Sequence, residues 1–309
     1  MANRVIISGA TGFIGRALCR AIHSDYEIVA LSRDVTSAAG IIGEYASVVE
    51  WGPAAVSGWA RQIENAYAVV NLAGENLAAG RWTQSRRNRI AQSRTSGAGA
   101  LVEAISGARN KPSVFVQASA VGYYGCRGDE VLDEDSGVGD GFLADVCHRT
   151  ESIAARVERS GVRPVMLRSG LVLGREGGAL PKFMAPYRFY LGGRLGSGRQ
   201  WLSWISLEDE IRAIRFATET PDFKGACNLT SPNPVTMGQF CRTLGQVLGK
   251  PAWTVVPAFA LRLVLGQMAD EALLTSQKAL PKRLTEAGFT FKYPELRTAL
   301  EAIMQGERR

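Results

Sequence analysis

The sequence predicts an α/β fold with a doubly wound parallel sheet and a smaller C-terminal α/β part. Three observations carry this. Apolar strand runs alternate with helix-period patterns through the first half, as in a parallel sheet with helices on both faces. The first strand runs straight into a glycine-rich turn and then a helix. From about Leu171 the alternation gives way to Gly- and Pro-rich loops and shorter helices. Taken in order, Arg4 to Ser8 is the first strand, on the strength of Val5, Ile6 and Ile7. A helix over about 12–23 follows from the spacing of Phe13, Ile14, Ala17, Leu18, Ala21 and Ile22. Tyr26 to Leu31, Ser47 to Glu50, Ala68 to Asn71, Ser113 to Ser119 and Pro164 to Arg168 read as further strands, with helices at about 83–106 and 141–160. Beyond the loops around 174–200, helices fit at about 207–218, 236–248 and 258–275, and a last one runs to Met304. Residues 1–170 are expected to form the sheet domain, with some later segments returning to it, and 171–309 the smaller part that covers it.

The opening turn is the most informative stretch. Gly9, Gly12 and Gly15 stand at G-x-x-G-x-x-G spacing between strand and helix. The N–H groups of a helix's first turn lack intrahelical partners and coincide with the positive end of its dipole, so a pyrophosphate suits the place. Gly9 is read as making the turn, Gly12 as letting backbone approach the ligand, and Gly15 as letting the helix lie close on the strand. About 20 residues on, an acidic side chain would take a ribose 2′-hydroxyl. Here the second strand ends in Ser32-Arg33-Asp34. A guanidinium at that place pairs with a 2′-phosphate, which favours NADP(H); the alternative is a solvated loop charge.

Composition narrows the class. A chain of 309 residues buries a large core, and its charged and apolar fractions are those of a globular protein. No stretch approaches the ~18 uninterrupted apolar residues of a membrane helix. The first strand begins at once, so a cytoplasmic location is expected. Five cysteines, with no C-x-x-C pair, argue for reduced thiols and against a disulfide framework or a zinc site, and no metal is expected. Only His23 and His148 are available for histidine chemistry. The net charge of +7 raises the question of nucleic acid. The densest basic run, Arg86, Arg87, Arg89 and Arg94, has no aromatic interleaving or nucleic-acid-binding signature, so a solvated helix face is expected, with Arg94 the one candidate to turn inward. Neither nucleic acid nor membrane is expected as a partner.

These residues resemble the extended short-chain dehydrogenase/reductases, the superfamily of nucleotide-sugar epimerases, over essentially the whole chain. More narrowly, Asn71-Leu-Ala-Gly-Glu-Asn76, Ala118-Ser-Ala-Val-Gly-Tyr-Tyr-Gly125 and Gly288-Phe-Thr-Phe-Lys-Tyr-Pro294 are similar to atypical epimerase-family proteins of the YfcH type. That group carries a C-terminal region without an assigned role. The resemblance implies a Rossmann-type NADP-binding domain at 1–170. It implies cofactor contacts from Gly9, Thr11, Gly12, Phe13, Ile14 and Gly15, from Ser32 and Arg33, and from Leu72, Ala73 and Gly74 after the fourth strand. On the nicotinamide side it implies Ala118, Ser119, Cys147, Ser169 and Gly170.

The chemistry departs from the superfamily's pattern. Its Tyr-x-x-x-Lys pair lowers a phenol's pKa so that the tyrosine serves as acid or base near neutrality. No tyrosine here has Lys four residues later. Setting Glu151 against the acidic residue that often follows the lysine puts Cys147 at the lysine position and Leu143 at the tyrosine position. Hydride transfer belongs to the nicotinamide, so another group can handle the proton. Ser119 is the first candidate, as a hydrogen-bond partner of a substrate carbonyl or else a strand-end serine; Tyr123 and Tyr124 come next, as acid–base groups or as pocket wall. Among the rest, Asp129, Glu130, Asp133, Glu134 and Asp135 are expected to be solvated, with room for one carboxylate to reach the site. The expected function is NADP(H)-dependent oxidoreduction or epimerisation of a small carbonyl or hydroxyl compound, a sugar derivative being one candidate. The alternative is a non-catalytic NADP(H)-binding regulator or scaffold.

Overall fold

Seven parallel strands form the central sheet: β1 (Asn3–Ser8), β2 (Tyr26–Ser32), β3 (Ser47–Glu50), β4 (Ala66–Asn71), β5 (Val114–Ala120), β6 (Arg163–Ser169) and β7 (Gly225–Leu229). The computed structural model from which these are read describes residues 3–52 and 56–306. The strand order is β3-β2-β1-β4-β5-β6-β7, so the winding reverses between β1 and β4. In such sheets a ligand crevice opens outside the carboxyl ends of the strands at the reversal.

The sequence forms these strands because both faces are covered. Val5, Ile6 and Ile7, like Val114, Phe115 and Val116, are consecutive and all buried, as parallel strands between two helix layers require. Ile7, Ala30, Val70 and Val116 pack with Leu18 and Cys19 of the Phe13–Ile22 helix and Ile211 and Ile214 of the Leu207–Glu219 helix. On the opposite face Ile6, Val69 and Phe115 pack with Leu101 and Ile105 of the Gln84–Gly107 helix.

A third cluster forms the C-terminal part: Trp204, Phe240 and Leu244 pack with Leu296 and Leu300. Its Met237–Leu248 helix begins in a capping box, with Thr236 and Gln239 satisfying each other's backbone N–H groups. Several segments differ from the sequence reading; the 174–200 stretch read as loops holds a helix at Leu180–Met184 and a strand at Gly192–Leu195, and two other differences bear on the site. Gly225–Leu229 joins the main sheet beside β6 as a strand, although a run holding Gly, Cys and Asn carries little strand signal. The helix expected at 258–275 is Ala258–Leu265 alone; Gly266 turns the chain, and a separate helical turn follows at Ala269–Leu273.

Candidate cofactor and active site

The glycine turn lies at the carboxyl end of β1. Gly9 has φ +75°, a conformation favourable only to glycine, and a Cβ there would lie 2.6 Å from the backbone of Leu72 and Ala73. A Cβ on Gly15 would lie 2.3 Å from the Gly9 carbonyl oxygen, so the helix is seated directly on the turn. Gly12 is exposed and serves as N-cap of the Phe13–Ile22 helix with no side-chain cap, so the first-turn N–H groups of Phe13 and Ile14 keep their hydrogen-bonding capacity for a ligand. The Phe13 ring does something the sequence did not announce. It lies under the 174–178 loop, where Cβ atoms on Gly174 and Gly177 would sit 2.5 and 2.6 Å from it.

Past β2, Asp34 is occupied: its carboxylate caps the Val35–Ile42 helix by accepting from Ser37 N at 2.9 Å. Ser32 hydrogen-bonds the Asp34 backbone. Arg33 is exposed and forms no hydrogen bond or ion pair with a described residue. The Asp34 carboxylate is therefore committed to its helix cap, and the exposed Arg33 guanidinium stands beside it without a partner among the described residues.

The crevice floor between β1, β4 and β5 is tied by buried polar side chains. Ser8 Oγ donates to Asn71 Oδ1, Asn71 Nδ2 donates to Gln117 Oε1 at 2.8 Å, and Asn71 Oδ1 also accepts from Ala73 N at 3.2 Å. These bonds fix the Leu72-Ala73-Gly74 segment. The basic helix face is not the solvated one expected. Arg94 turns inward, its guanidinium donating to the Glu75 and Ile90 carbonyls and lying 3.1 Å from where a Gly74 Cβ would be. Arg86 donates to the Asn76 carbonyl, and Arg87 donates to Gln267 at 2.7 Å. Three of the four arginines therefore hold loops in place, and only Arg89 faces outward.

The reacting end is a chain of side chains from β5 and the turn after it, the acidic loop, the Phe142–Ala154 helix, β6 and β7. Ser119 Oγ donates to Glu151 Oε1 at 2.6 Å. Arg168 holds the same carboxylate through Nε and Nη2, the latter at 2.8 Å from Oε2. Its Nη1 donates to Tyr124 Oη at 3.0 Å, and Tyr124 donates in turn to Asn228 Oδ1 at 2.8 Å. Asn228 N donates to Glu134 Oε1 at 2.9 Å, so one carboxylate of the acidic loop does turn inward. Burial keeps the Glu134 carboxyl above its ordinary value. The guanidinium of Arg168 also lies 3.5 Å from the centroid of the Tyr123 ring. Tyr124 is fully buried with both hydrogen-bonding functions engaged, and burial pushes its hydroxyl up to about 12. Ser119 and Tyr123 are half-buried, whereas Glu151 and Arg168 are buried. Cys147 lies beside Ser119, and burial pushes its thiol up.

The C-terminal strap closes this end. Glu271 accepts from Leu143 N at 2.7 Å, at the start of the Phe142–Ala154 helix. Met268 packs with Trp82 and Ile90, and with Leu143, Phe142 and Leu265 around them. Leu143 is therefore an apolar side chain packed under Met268 and Leu265. Ser169, at the end of β6 and in register beside Ala120, donates to Glu210 Oε1 at 2.6 Å. Gly170 follows, where a Cβ would strike the Ser203 carbonyl at 2.6 Å. Among the described residues there is no cluster of His, Cys, Asp and Glu that could hold a metal.

The model of the NAD dependent epimerase/dehydratase family matches residues 5–229. The chain belongs to that family. A domain of unknown function (DUF1731) matches residues 256–303, the strap and the final helix. An epimerase family protein SDR39U1 homolog, chloroplastic, of Arabidopsis thaliana is 41% identical over 97% of this chain and 86% of its own length. The epimerase family protein ML0860 of Mycobacterium leprae is 38% identical over 96% of this chain and 94% of its own. Among solved structures, human epimerase family protein SDR39U1 (isoform 2) with NADPH superposes with a TM-score of 0.89 at 33% identity, covering 98% of this chain and 99% of that one. The UDP-glucuronic acid 4-epimerase of Bacillus cereus, at 18% identity and a TM-score of 0.77, shares the fold. Among the described residues no helix is long and apolar enough to cross a membrane.

Proposed function

We propose that this epimerase-family chain binds NADP(H) at the β1 turn and uses it to oxidise, reduce or epimerise a hydroxyl or carbonyl of a small sugar-derived compound. The observation that carries this is the combination of an uncapped helix N-terminus with an Arg33 that has no partner among the described residues, while the neighbouring carboxylate of Asp34 is committed to a helix cap. A bound nicotinamide dinucleotide supplies hydride exchange at a carbinol or carbonyl carbon. For the chain's own part, the Phe13 and Ile14 N–H groups hold the pyrophosphate and Arg33 the 2′-phosphate. Leu72, Ala73 and Gly74 line the adenosine side; Ser119, Ser169 and Gly170 line the nicotinamide side. Residues 1–170, with the later segment that adds β7, serve as the cofactor lobe; the remainder of 171–309 covers the substrate. NADPH in the human relative's structure and nucleotide-sugar ligands in more distant ones support the same reading. A cytoplasmic location suits five unpaired thiols.

A second reading, a non-catalytic NADP(H)-binding protein, draws on Leu143 at the tyrosine position. One screen separates the two. The protein with NADPH or NADP+ is offered UDP-glucuronic acid, UDP-N-acetylglucosamine, simple aldoses and short ketones and alcohols, with cofactor absorbance and product mass as readouts. Turnover of any member supports the enzyme; tight NADPH binding with no turnover across the panel supports the second reading.

A further inference from the structure

Leu143, Cys147 and Glu151 follow one another at four-residue spacing on the Phe142–Ala154 helix, so they share one face. Leu143 has no proton to give. Cys147 is a buried thiol. One turn further, Glu151 accepts the Ser119 hydroxyl at 2.6 Å. We propose that Ser119 and Glu151 form a proton relay that replaces the missing tyrosine–lysine pair, with Ser119 touching the substrate oxygen and Glu151 taking or supplying the proton behind it. The proposal rests on the oxidoreductase reading above.

Three features support it. First, the Ser119 hydrogen is directed at Glu151, and of the two lone pairs on its oxygen the neighbouring Cys147 thiol can occupy only one, so the other is suited to accept from a substrate hydroxyl. Second, Glu151 is held. Arg168 grips both its oxygens, Tyr124 and the Tyr123 ring grip Arg168, and Asn228 grips Tyr124. A carboxylate fixed in this way stays aligned with Ser119 through a catalytic cycle. Third, the competing groups are occupied: Tyr124 is sealed and doubly hydrogen-bonded, and Cys147 is a desolvated thiol. In the oxidative direction the carbinol C–H leaves as hydride to the nicotinamide. The substrate O–H proton passes to Ser119 Oγ as the Ser119 proton passes to Glu151 Oε1. A carbonyl, a reduced cofactor and a protonated Glu151 result, and reduction runs the same steps backward. Ser119 is thus the catalytic residue; Glu151 acts through it, and Arg168 positions Glu151.

The charged and titratable groups facing Glu151 are Arg168 from β6, Cys147 on its own helix and, through Arg168, Tyr123 and Tyr124 from the turn after β5. Arg94 lies beyond Cys147, Glu134 beyond Asn228, and His148 beside the Tyr123 ring.

Two readouts test the relay. In the cofactor-free protein, isotope-edited infrared spectroscopy follows the carboxylate stretching bands of Glu151, identified by their loss in Glu151→Gln. Removing the donor in Ser119→Ala is expected to shift these bands, because the hydrogen bond from Ser119 Oγ is lost. Unmoved bands would mean that the hydroxyl is not committed to Glu151 and would overturn the relay. In the second readout, the compound turned over in the panel is assayed against pH. Ser119→Ala and Glu151→Gln are expected to lower kcat about 100-fold or more, a far larger loss than either causes in NADPH affinity. Glu151→Asp is expected to keep the acid limb that Glu151→Gln loses. If Glu151→Gln does not fold, Ser119→Ala decides alone, since it leaves the Glu151–Arg168 pair intact. Full turnover in Ser119→Ala rejects the relay and leaves the oxidoreductase reading standing; no turnover by the unmodified protein rejects both.

Discussion

The two ends of the crevice are built from different materials. At the phosphate end the groups offered to a ligand are backbone N–H groups, shaped by glycines within a span of seven residues, with one exposed arginine just past the next strand. At the reacting end they are side chains from three strands, one helix, the turn after β5 and the acidic loop, joined by a chain running Ser119, Glu151, Arg168, Tyr124, Asn228 and Glu134. A backbone site tolerates almost any sequence that keeps its glycines. A side-chain site can be rewired by a few substitutions while the sheet beneath it stays the same. The chain therefore keeps the family's means of binding a dinucleotide and departs from the superfamily's usual means of moving a proton.

The largest break in this comparison is expected from Gly15→Ala. Its Cβ would sit 2.3 Å from the Gly9 carbonyl and 2.7 Å from Ala10 Cα, both backbone atoms that cannot step aside. NADPH titration by fluorescence is expected to show no saturation, with the thermal midpoint lowered as well. Wild-type affinity in this variant would mean that the turn is not the binding element. Next comes Arg168→Ala, which leaves Glu151 buried without its cation. Chemical denaturation is expected to show a loss of about 3–5 kcal/mol, whereas a loss well under 1 kcal/mol would mean the pair is solvated in solution.

An effect seen only against pH concerns Glu210, behind Ser169. Burial pushes its carboxyl up to about 8, and its Oε2 has no hydrogen-bond partner among the described residues. A carboxyl raised in the folded state binds its proton more tightly there than when unfolded. Its contribution is thus fully present below the usual carboxyl range and is lost as pH rises toward 8. Glu210→Gln is expected to flatten that decline in a series of melts between about pH 4 and 9. An unchanged pH dependence would show that Glu210 ionises freely.

The same contrast explains what could be read from the sequence. β1, β2, β4 and β5 announce themselves as consecutive buried aliphatics, and the glycine turn declares its purpose because its ligands and its geometry are neighbours in the chain. β7 escapes, since Ala226, Cys227 and Asn228 gain strand character only from lying beside β6. In the site, Glu151 served only as a marker of position, because its partners Ser119 and Arg168 stand 32 and 17 residues away and meet it only through the parallel register of β5 and β6. Arg86 and Arg87 look like solvent-facing charges on a helix wheel. Only the fold brings the 76 loop and Gln267 to them.

The central claim, that the β1–β2 end of the crevice is an NADP(H) site, is tested most directly by the ratio of NADH to NADPH dissociation constants, measured by fluorescence in the unmodified protein and in Arg33→Ala. A charge-assisted pair with a 2′-phosphate contributes roughly 1.5–3 kcal/mol. The unmodified protein is therefore expected to prefer NADPH by about tenfold or more, and Arg33→Ala to lose most of that preference by weakening NADPH alone. Equal loss for both cofactors, or no preference to begin with, would contradict the assignment.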